Sequence, residues 1–160
     1  MRKSGQKTLS VNAIEQGTVI DHIPAGKAIR IVDLLQLTDH NKRVTIGLNL
    51  KSKRDQFKDL IKIENYSLNE QQLSYIGLFA PRATINRIQD FAVTDKIKAV
   101  SPSEISGLMV CPNLNCITNK EQITTKFIVK KRGGQNDKLH CAYCERIFSF
   151  KDIKPKHYST

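Results

Sequence analysis

The sequence predicts an α+β protein in two parts, an antiparallel sheet covered by two helices and a small all-β domain behind it. Three observations lead to this fold class. Stretches of alternating apolar and polar residues surround two stretches with helical periodicity in the first hundred residues. A Ser-Pro-Ser segment follows at 101–103. All four cysteines of the chain lie after residue 110, in two close pairs.

The amino-terminal segment predicts a strand followed by a helix. Residues 9–23 alternate apolar and polar side chains around a turn at Gly17, and we expect extended structure on both sides of that turn. Pro24 suits the first turn of a helix, because its missing N–H group is not needed there. Apolar side chains between residues 28 and 35 then form one broad helical face.

Two further strands and a second helix come next. Residues 43–50 and 58–64 alternate in the manner of strands, with a charged loop at 51–56 between them. Residues 67–70, Ser-Leu-Asn-Glu, match a capping box in which the serine oxygen accepts from the third amide of a helix. The second helix is therefore expected to begin there, and Pro81 is expected to end it.

Strands over 83–88 and 91–100 complete the predicted sheet, with a turn near Gln89-Asp90. The resulting order is β-α-β-β-α-β with small additions. That order is the split βαβ plan of the ferredoxin-like type, in which two helices cover one face of an antiparallel sheet.

The cysteine pairs Cys111/Cys116 and Cys141/Cys144 predict a metal site. Each pair can form a knuckle that presents two thiolates, and two knuckles complete the tetrahedral sulfur set of a structural zinc. Such a site has no vacant position for water or substrate. The alternative is two disulfides in a secreted protein, but the chain starts with polar and basic residues and has no apolar signal segment. We therefore expect one structural Zn²⁺ per chain and a cytoplasmic location.

The predicted domain boundary lies at the Ser-Pro-Ser segment, with residues 1–101 in one domain and residues 102–160 in the other. The second domain has no amphipathic pattern long enough for a core. A metal is therefore expected to organise it as a zinc-ribbon (rubredoxin-like) domain. His140, next to Cys141, could replace a ligand in principle, although four cysteines already satisfy the ion.

The chain is basic, with 26 Lys and Arg against 15 Asp and Glu and a net charge of +11. Polyanions are expected partners, which leaves nucleic acid, free nucleotides and acidic protein surfaces open. No apolar run approaches the roughly 20 residues that cross a bilayer, so no membrane association is expected. Phosphate loops, metalloprotease motifs and serine-hydrolase motifs are missing, so catalysis has no sequence support. A nucleic-acid-binding zinc-ribbon protein remains an alternative.

Asp21 and His22 place an acid and an imidazole at the end of an otherwise apolar strand. One interpretation is a hydrogen-bonding cap of that strand. The other is an anion site, because Lys62 lies in another predicted strand. Lys96 and Lys98 alternate in the last strand and face the same side of a sheet.

Five separated motifs between Leu9 and Phe148 resemble the regulatory chains of bacterial and archaeal aspartate carbamoyltransferase, and they occur in the family's order. They are Gly17-Thr-Val-Ile-Asp-His-Ile-Pro-Ala25, Ile46-Gly-Leu-Asn-Leu50, Lys58-Asp-Leu-Ile-Lys-Ile-Glu-Asn65, Ala80-Pro-Arg-Ala-Thr-Ile-Asn-Arg-Ile88 and Cys111-Pro-Asn-Leu-Asn-Cys-Ile117.

The resemblance implies a non-catalytic subunit with a nucleotide-binding allosteric domain and a zinc domain that contacts the catalytic chain. It also implies regulatory dimers, three of which hold two catalytic trimers together in the first committed step of pyrimidine synthesis. CTP, ATP and UTP are the implied effectors, and neither a membrane nor nucleic acid is an implied partner.

The resemblance also assigns roles to particular positions. The implied nucleotide-binding residues are Val11, Ile14, Asp21, His22, Lys62, Asn86, Ile88, Phe91, Val93 and Lys96. The residues implied to contact the catalytic chain are Asn113, Asn115, Glu121, Tyr143 and Glu145. The chain departs from the expected pattern at Phe91, where tyrosine is usual, and at Lys98, where arginine is usual. Lys58, in a basic stretch, is a candidate to assist a second nucleotide or metal-bridged phosphates.

Overall fold

The structure is a computed structural model that describes residues 12–39, 41–131 and 137–156. Val11 and the first part of the predicted opening strand lie outside the described residues. The amino-terminal half contains five strands and two helices in the described ranges. They are β1 (Gly17–Pro24), α1 (Ala28–Leu34), β2 (Val44–Ser52), β3 (Gln56–Glu64), α2 (Glu70–Phe79), β4 (Thr84–Gln89) and β5 (Ala92–Lys98).

These five strands form one antiparallel sheet in the order β2-β3-β1-β4-β5. Strand β3 lies between β1 and β2, as the split βαβ plan requires. Alternate residues of the central strands, among them Ile20, Ile61 and Ile85, are buried against apolar residues of both helices. The predicted α+β class, with a ferredoxin-like sheet and two helices, is confirmed.

The start of the first helix differs from the prediction. Pro24 is the last residue of β1, and its carbonyl accepts from the Lys27 amide at 3.1 Å to form a turn. The helix begins only at Ala28, where the buried carboxylate of Asp59 accepts the amide protons of Gly26, Lys27 and Ala28. Residues 12–16 are irregular, so the predicted extension of the strand upstream of Gly17 is wrong for these residues.

The second helix is capped by a different residue from the predicted Ser67. The Asn69 side chain accepts from the Gln72 amide at 2.8 Å, and the Gln72 side chain accepts from the Asn69 amide at 3.0 Å. This pair is a capping box two residues later than predicted. The shift follows from Leu68, which is buried in the core before the helix starts.

The regular secondary structure of the carboxyl-terminal part consists mainly of short β-strands. They are β6 (Glu104–Ser106), β7 (Met109–Val110), β8 (Lys126–Lys130), β9 (Lys138–Cys141), β10 (Ile147–Ser149) and β11 (Lys154–Pro155). Four of them form a sheet in the order β10-β9-β8-β6, and β11 pairs with β7. The small all-β second part is therefore confirmed.

This part has a core that the sequence patterns did not reveal. Ile105, Met109, Phe127, Leu139 and Ile153 are all at most 2% exposed, and they adjoin the apolar core of the amino-terminal half. The expectation of a region without a core is therefore wrong. Its strands are two to five residues long, too short for an apolar periodicity to be recognised.

Helix α2 and the segment that leads out of the first part approach closely at Gly77. A Cβ atom at this position would lie 1.9 Å from the carbonyl oxygen of Val100, so only glycine allows the present contact between helix and connecting segment. Among the described residues, no helix is long and apolar enough to cross a membrane.

Candidate functional site

The four cysteine sulfurs converge on one point. Each Sγ lies within 4.8 Å of the other three, with 3.7 Å between Cys111 and Cys144 and 3.9 Å between Cys116 and Cys141. A tetrahedron with metal–sulfur bonds of about 2.3 Å has edges of about 3.8 Å. The donor set therefore fits a tetrahedral thiolate-bound metal, and the sequence-predicted ligands are brought together.

Local hydrogen bonds shape the first knuckle, residues 111–116. The Cys116 amide donates to the Asn113 carbonyl at 2.8 Å, which closes the turn. The Asn119 side-chain amide donates to the carbonyls of Cys111 and Asn113, both at 2.8 Å. Thr118 Oγ1 donates to the Cys116 sulfur at 3.2 Å. Because these bonds hold the turn, the two sulfurs are preorganised for an ion.

In the second knuckle, residues 141–144, the backbone turns back at Glu145, which has a positive φ of 58°. The Glu145 amide donates to the Cys141 carbonyl at 3.0 Å, and the Cys141 amide donates to the Arg146 carbonyl at 2.9 Å. His140 lies on β9 outside the sulfur cluster, so four cysteines form the ligand set without it.

The thiols differ in their readiness to ionise. Burial raises the pKa of Cys111 and of Cys141. Burial also acts to raise the pKa of Cys144, but hydrogen bonds from the Arg146 backbone and the Asn113 side chain outweigh it and lower that pKa to about 7. A metal ion must displace the protons of the buried thiols, so metal affinity falls as pH falls.

A second cluster lies on the sheet, at a bulge in β1. The register of β1 against β3 shifts between Ile20 and Ile23, and His22 has a positive φ of 57°. The bulge allows both isoleucines to be buried while Asp21 and His22 lie together between them. Asp21 Oδ1 accepts from the His22 amide at 2.7 Å and from Lys58 Nζ at 2.7 Å.

The side of the sheet opposite the helices, here called the open face, carries the predicted lysines. Lys62 on β3 is directly opposite Val19 on β1, Val19 is opposite Asn86 on β4, and Asn86 is opposite Lys96 on β5. Asp21 lies two residues beyond Val19 on β1, so it shares this face. The sheet therefore brings Asp21, Lys62, Asn86 and Lys96 together, and it places Lys98 beside them. Ile88 and Val93 pair with each other on the same face, nearer the β4–β5 turn.

Two buried polar atoms on this face can still form hydrogen bonds. The buried Oδ1 of Asn86 and Nδ1 of His22 have no hydrogen-bond partner in the part of the chain that the structure describes. His22 Nδ1 lies 3.4 Å from Asp21 Oδ2, which satisfies an ion-pair distance but not hydrogen-bond geometry. Burial lowers the pKa of Lys62, and the charge of Asp21 partly offsets that effect. Lys62 also donates to the Asn12 carbonyl.

Phe91 lies at the end of the open face in a strained conformation. Asp90 and Phe91 form the two-residue turn between β4 and β5, and both have positive φ, 50° and 62°. The turn is one residue later than predicted. The Phe91 amide donates to the Glu15 carbonyl at 3.1 Å, so the irregular segment with the buried Ile14 is tied to this turn. The Phe91 ring is 66% exposed.

Comparison with known proteins identifies the family. Residues 9–100 match the family model described as aspartate carbamoyltransferase regulatory chain, allosteric domain, and residues 103–154 match the metal binding domain of the same chain. The chain belongs to the aspartate carbamoyltransferase regulatory chain family. It is similar to the regulatory chain of Chromobacterium violaceum, with 47% identity over 148 residues that cover 92% of this chain and 96% of that one. The Aeromonas hydrophila regulatory chain is 46% identical over 155 residues, 97% of this chain and 99% of that one.

Membership makes this a non-catalytic subunit with a catalytic-chain partner, an allosteric domain and a metal-binding domain. Four of the five residues predicted to contact the catalytic chain are exposed beside the knuckles: Asn115, Glu121, Tyr143 and Glu145. Asn113 is half-buried.

Two features of the regulatory chain were missed by the sequence reasoning. Leu114, at the tip of the first knuckle, is 84% exposed, and Ile117 just beyond it is 44% exposed. The exposure of an apolar residue between two asparagines could have been suspected from the knuckle spacing alone. Asp59 is fully buried and accepts four backbone hydrogen bonds, and its position in an alternating strand gave no signal of that role.

Proposed function

We propose that this chain is an allosteric subunit that binds CTP, ATP and UTP on the open face and so regulates pyrimidine biosynthesis. The observation that carries the proposal is the row formed by Lys62, Asn86 and Lys96 on neighbouring strands, with Asp21 beside it. Two ammonium groups on the sheet face opposite the helices suit a polyphosphate. The unpaired Asn86 oxygen in the same row supports a ligand that brings a donor.

Each group has a role in the proposed complex. Lys62 and Lys96 donate to triphosphate, ribose or base oxygens, and His22 adds a donor near the phosphates. Asp21 retains Oδ2 as an acceptor for a sugar hydroxyl or an amino group, because Oδ1 already accepts from Lys58 and from the His22 amide. Lys58 is therefore an anchor for Asp21 in this structure, and its assistance to a second nucleotide would require that ion pair to open.

Recognition of the base is proposed to use backbone groups near Ile14 and Phe91. The hydrogen bond between the Phe91 amide and the Glu15 carbonyl brings these two segments together at one end of the row. Ile88 and Val93 provide apolar contact there. Backbone N–H and C=O groups can form hydrogen bonds with the edges of different bases. One pocket can therefore take both a cytosine and an adenine nucleotide. The outward Phe91 ring packs on the nucleotide without requiring the hydroxyl of the more usual tyrosine.

Replacing Lys62 or Lys96 with alanine is expected to weaken CTP binding while the fold is preserved. Each change removes a charge-assisted hydrogen bond worth about 1.5–3 kcal/mol, which corresponds to a loss of roughly tenfold or more in affinity. Isothermal titration calorimetry on the full chain measures the effect. Lys53→Ala, in the exposed turn between β2 and β3, is the matched control for a lost charge. Wild-type affinity in both Lys62→Ala and Lys96→Ala would move the site elsewhere.

An oligonucleotide-binding assay on the same protein distinguishes the proposed function from the alternative of a nucleic-acid-binding protein. A basic chain that served mainly to bind oligonucleotides would do so tightly, with an affinity that falls steeply as salt rises. The proposed function predicts weak oligonucleotide binding without dependence on Lys62 or Lys96.

The metal is proposed to be zinc, one ion per chain, with a structural role. A closed set of four thiolates in tetrahedral arrangement is typical of structural zinc sites. The site suits a reducing compartment, because thiolate ligands must stay reduced, and this supports the proposed cytoplasmic location. The domain boundary is proposed at residue 101, with the nucleotide site before it and the zinc site after it.

The knuckles are proposed to contact the catalytic chain and thereby to link catalytic trimers. Leu114 and Tyr143 expose large side chains on the two knuckles, one on each. Asn115, Glu121 and Glu145 add exposed polar groups on the knuckles and in the segments that follow them. An exposed apolar or aromatic centre with a polar surround is the usual arrangement of a protein interface.

Self-association is proposed to use the edge of the sheet at β2. In the described sheet β2 pairs only with β3, and this edge strand exposes Ile46 and Leu48, while Phe57 is exposed on the neighbouring β3. Uncovered edges with apolar side chains pair readily with a second copy, and a two-fold axis is the commonest arrangement.

Leu48→Asp is expected to convert the regulatory dimer to a monomer at micromolar concentration, because it places a charge within the proposed apolar contact. Leu114→Asp is the reciprocal variant and should leave the dimer intact while weakening association with catalytic trimers. Analytical ultracentrifugation of each variant, alone and with the catalytic chain, distinguishes the two surfaces. A dimeric Leu48→Asp chain would rule out the β2 edge as the contact.

A further inference from the structure

One of the polar bridges that span the two parts of the chain runs through a half-buried cation. Arg30 lies on α1, and its Nη2 atom donates to the carbonyl oxygens of Phe150 and Ile153, the latter at 2.6 Å. Both acceptors belong to the turn between β10 and β11, here called the C-terminal turn, residues 150–153. The arginine guanidinium stays protonated in proteins, so both hydrogen bonds are charge-assisted.

Aromatic contacts fix the same guanidinium from a second helix. It lies 5.2 Å from the ring centroid of Phe79 on α2, within the range of a cation–π contact. The Phe79 and Phe150 rings are 5.9 Å apart and tilted at 56°. Arg30 therefore joins α1, α2 and the C-terminal turn at a single point.

The C-terminal turn is connected to both cysteine pairs. Upstream of it, β10 pairs with β9, which ends at Cys141. Downstream, β11 pairs with β7, which leads directly into Cys111. The Lys156 amide also donates to the Leu108 carbonyl at 2.7 Å. A displacement of the turn would therefore move the strands that present two of the four ligands.

On its other side, Arg30 is connected to the open face. Helix α1 begins where the Asp59 carboxylate accepts the amides of residues 26–28. Asp59 follows Lys58, whose ammonium group holds Asp21, and Lys62 lies three residues further along the same strand. A ligand that pulls on Asp21 or Lys62 thus acts on the strand that fixes the start of α1.

We propose that Arg30 is a positioning residue that couples the nucleotide face to the metal site through the C-terminal turn. The inference deepens the proposed function, on which it rests for the identity of the effector. Energetic coupling between distant sites is carried by packed side chains and hydrogen-bond networks whose arrangement both sites bias. Coupling of binding energies is reciprocal. If the nucleotide changes the affinity for the metal, the metal changes the affinity for the nucleotide by the same factor.

Two substitutions separate the coupling role from general stability. Arg30→Met keeps much of the aliphatic length and removes the charge and the donors. Arg30→Lys keeps the charge but loses the planar fork that reaches two carbonyl groups. Lys151→Met, at an exposed cation in the same turn, is the matched control.

The first measurement is the rate at which a mercurial releases the metal from the full chain, with and without saturating CTP. In the wild-type chain and in Lys151→Met, CTP should change this rate by roughly fivefold, the lower end of common allosteric coupling. The ratio should fall to about one in Arg30→Met and to an intermediate value in Arg30→Lys. CTP affinity by calorimetry should stay within about twofold in Lys151→Met and should change by no more than about fivefold in the two Arg30 variants, because none of the substitutions touches the open face and only the coupling to the metal is lost. A wild-type ratio retained in Arg30→Met would overturn the proposal.

The second measurement needs no nucleotide, so it stays informative if the proposed effector is wrong. Removing the metal with a chelator should speed amide hydrogen exchange in Ala28–Leu34 of the wild-type chain by several-fold. In Arg30→Met the same helix should exchange faster from the start and should not respond to the chelator. If helix exchange responds equally in both chains, Arg30 does not couple the two sites. If CTP fails to bind but this response is lost in Arg30→Met, the coupling stands and the proposed ligand is wrong.

Discussion

Removing the metal from the four-cysteine site is expected to unfold the carboxyl-terminal part and to release the catalytic chain, while CTP binding to the amino-terminal half persists. Metal binding supplies roughly 10–16 kcal/mol in small zinc-dependent folds. The strands around the knuckles are only two to five residues long, and such short strands rarely hold without a further constraint. The residues proposed to contact the catalytic chain lie on or beside the knuckles, so they would lose their positions together.

The measurement combines mercurial titration with ultracentrifugation and calorimetry. Titrating the thiols of the complex should release one metal ion per regulatory chain and free active catalytic trimers that no longer respond to CTP. The released regulatory chains should still bind CTP, because the five-stranded sheet has its own core of residues such as Ile20, Ile61 and Ile76. A complex that stayed intact after all four thiols were modified and the metal was lost would contradict the proposed interface.

Two variants control for a general effect of changing the cysteine region. Cys144→Ser removes one ligand and should reproduce the loss of metal and of the catalytic chain. Thr118→Val removes only the hydroxyl that donates to the Cys116 sulfur, so it should retain the metal with a cost of about 1 kcal/mol. Equal behaviour of the two variants would show that ligation is not the cause.

The metal site and the fold class could be predicted because the signals are local. Ligand pairs separated by a few residues form knuckles whatever lies around them, and apolar periodicity marks strands and helices without knowledge of their neighbours. The lysines of the open face were also within reach, because alternation alone places Lys96 and Lys98 on one side of a strand. The strand register, which only the structure shows, then places Lys62, Asn86 and Lys96 in one row across the sheet.

What the sequence could not predict depends on partners far along the chain. Arg30 is one polar residue of a helix, and its acceptors lie 120 and 123 positions away. The bulge that brings Asp21 and His22 together is a feature of the pairing between β1 and β3, and the local sequence reads as an ordinary strand. The capping-box motif predicts Ser67 as the cap, whereas the structure caps the helix with Asn69, after the buried Leu68.

The structure also gives Asp59 a role that predicts a large loss of stability. Its carboxylate is fully buried and accepts from four backbone amides, with Gly26, Lys27 and Ala28 on Oδ2 at 2.8–3.1 Å and Asn49 on Oδ1 at 2.9 Å. These bonds join the start of α1 to β2 at Asn49, where the register of β2 against β3 shifts. Hydrogen bonds to a charged group contribute about 1.5–3 kcal/mol each, and a donor left unsatisfied inside a protein costs about 1–3 kcal/mol.

Asp59→Ala is expected to reduce the free energy of unfolding by roughly 3–5 kcal/mol, the loss typical of buried charged groups that lose their partners. That loss is a large part of the 5–15 kcal/mol available to an ordinary domain. Asp59→Asn keeps the shape but replaces one accepting oxygen by a donor, so it too should be strongly destabilising. Urea unfolding of the full chain measures both variants, and the midpoint should fall with little change in slope.

Asp55→Asn is the matched control for Asp59, because Asp55 carries the same charge in the turn just before β3. It forms partly exposed ion pairs with Arg54 and Arg82 at 3.9 and 3.2 Å, and such pairs contribute about 0–1 kcal/mol. Its midpoint should therefore stay close to that of the wild-type chain. Because Asp59 fixes the start of α1, hydrogen exchange in that helix should rise first in Asp59→Asn. If Asp59→Asn and Asp55→Asn were equally stable, the four amides at Asp59 would have to find other acceptors, and the carboxylate would not be what holds α1 to the sheet.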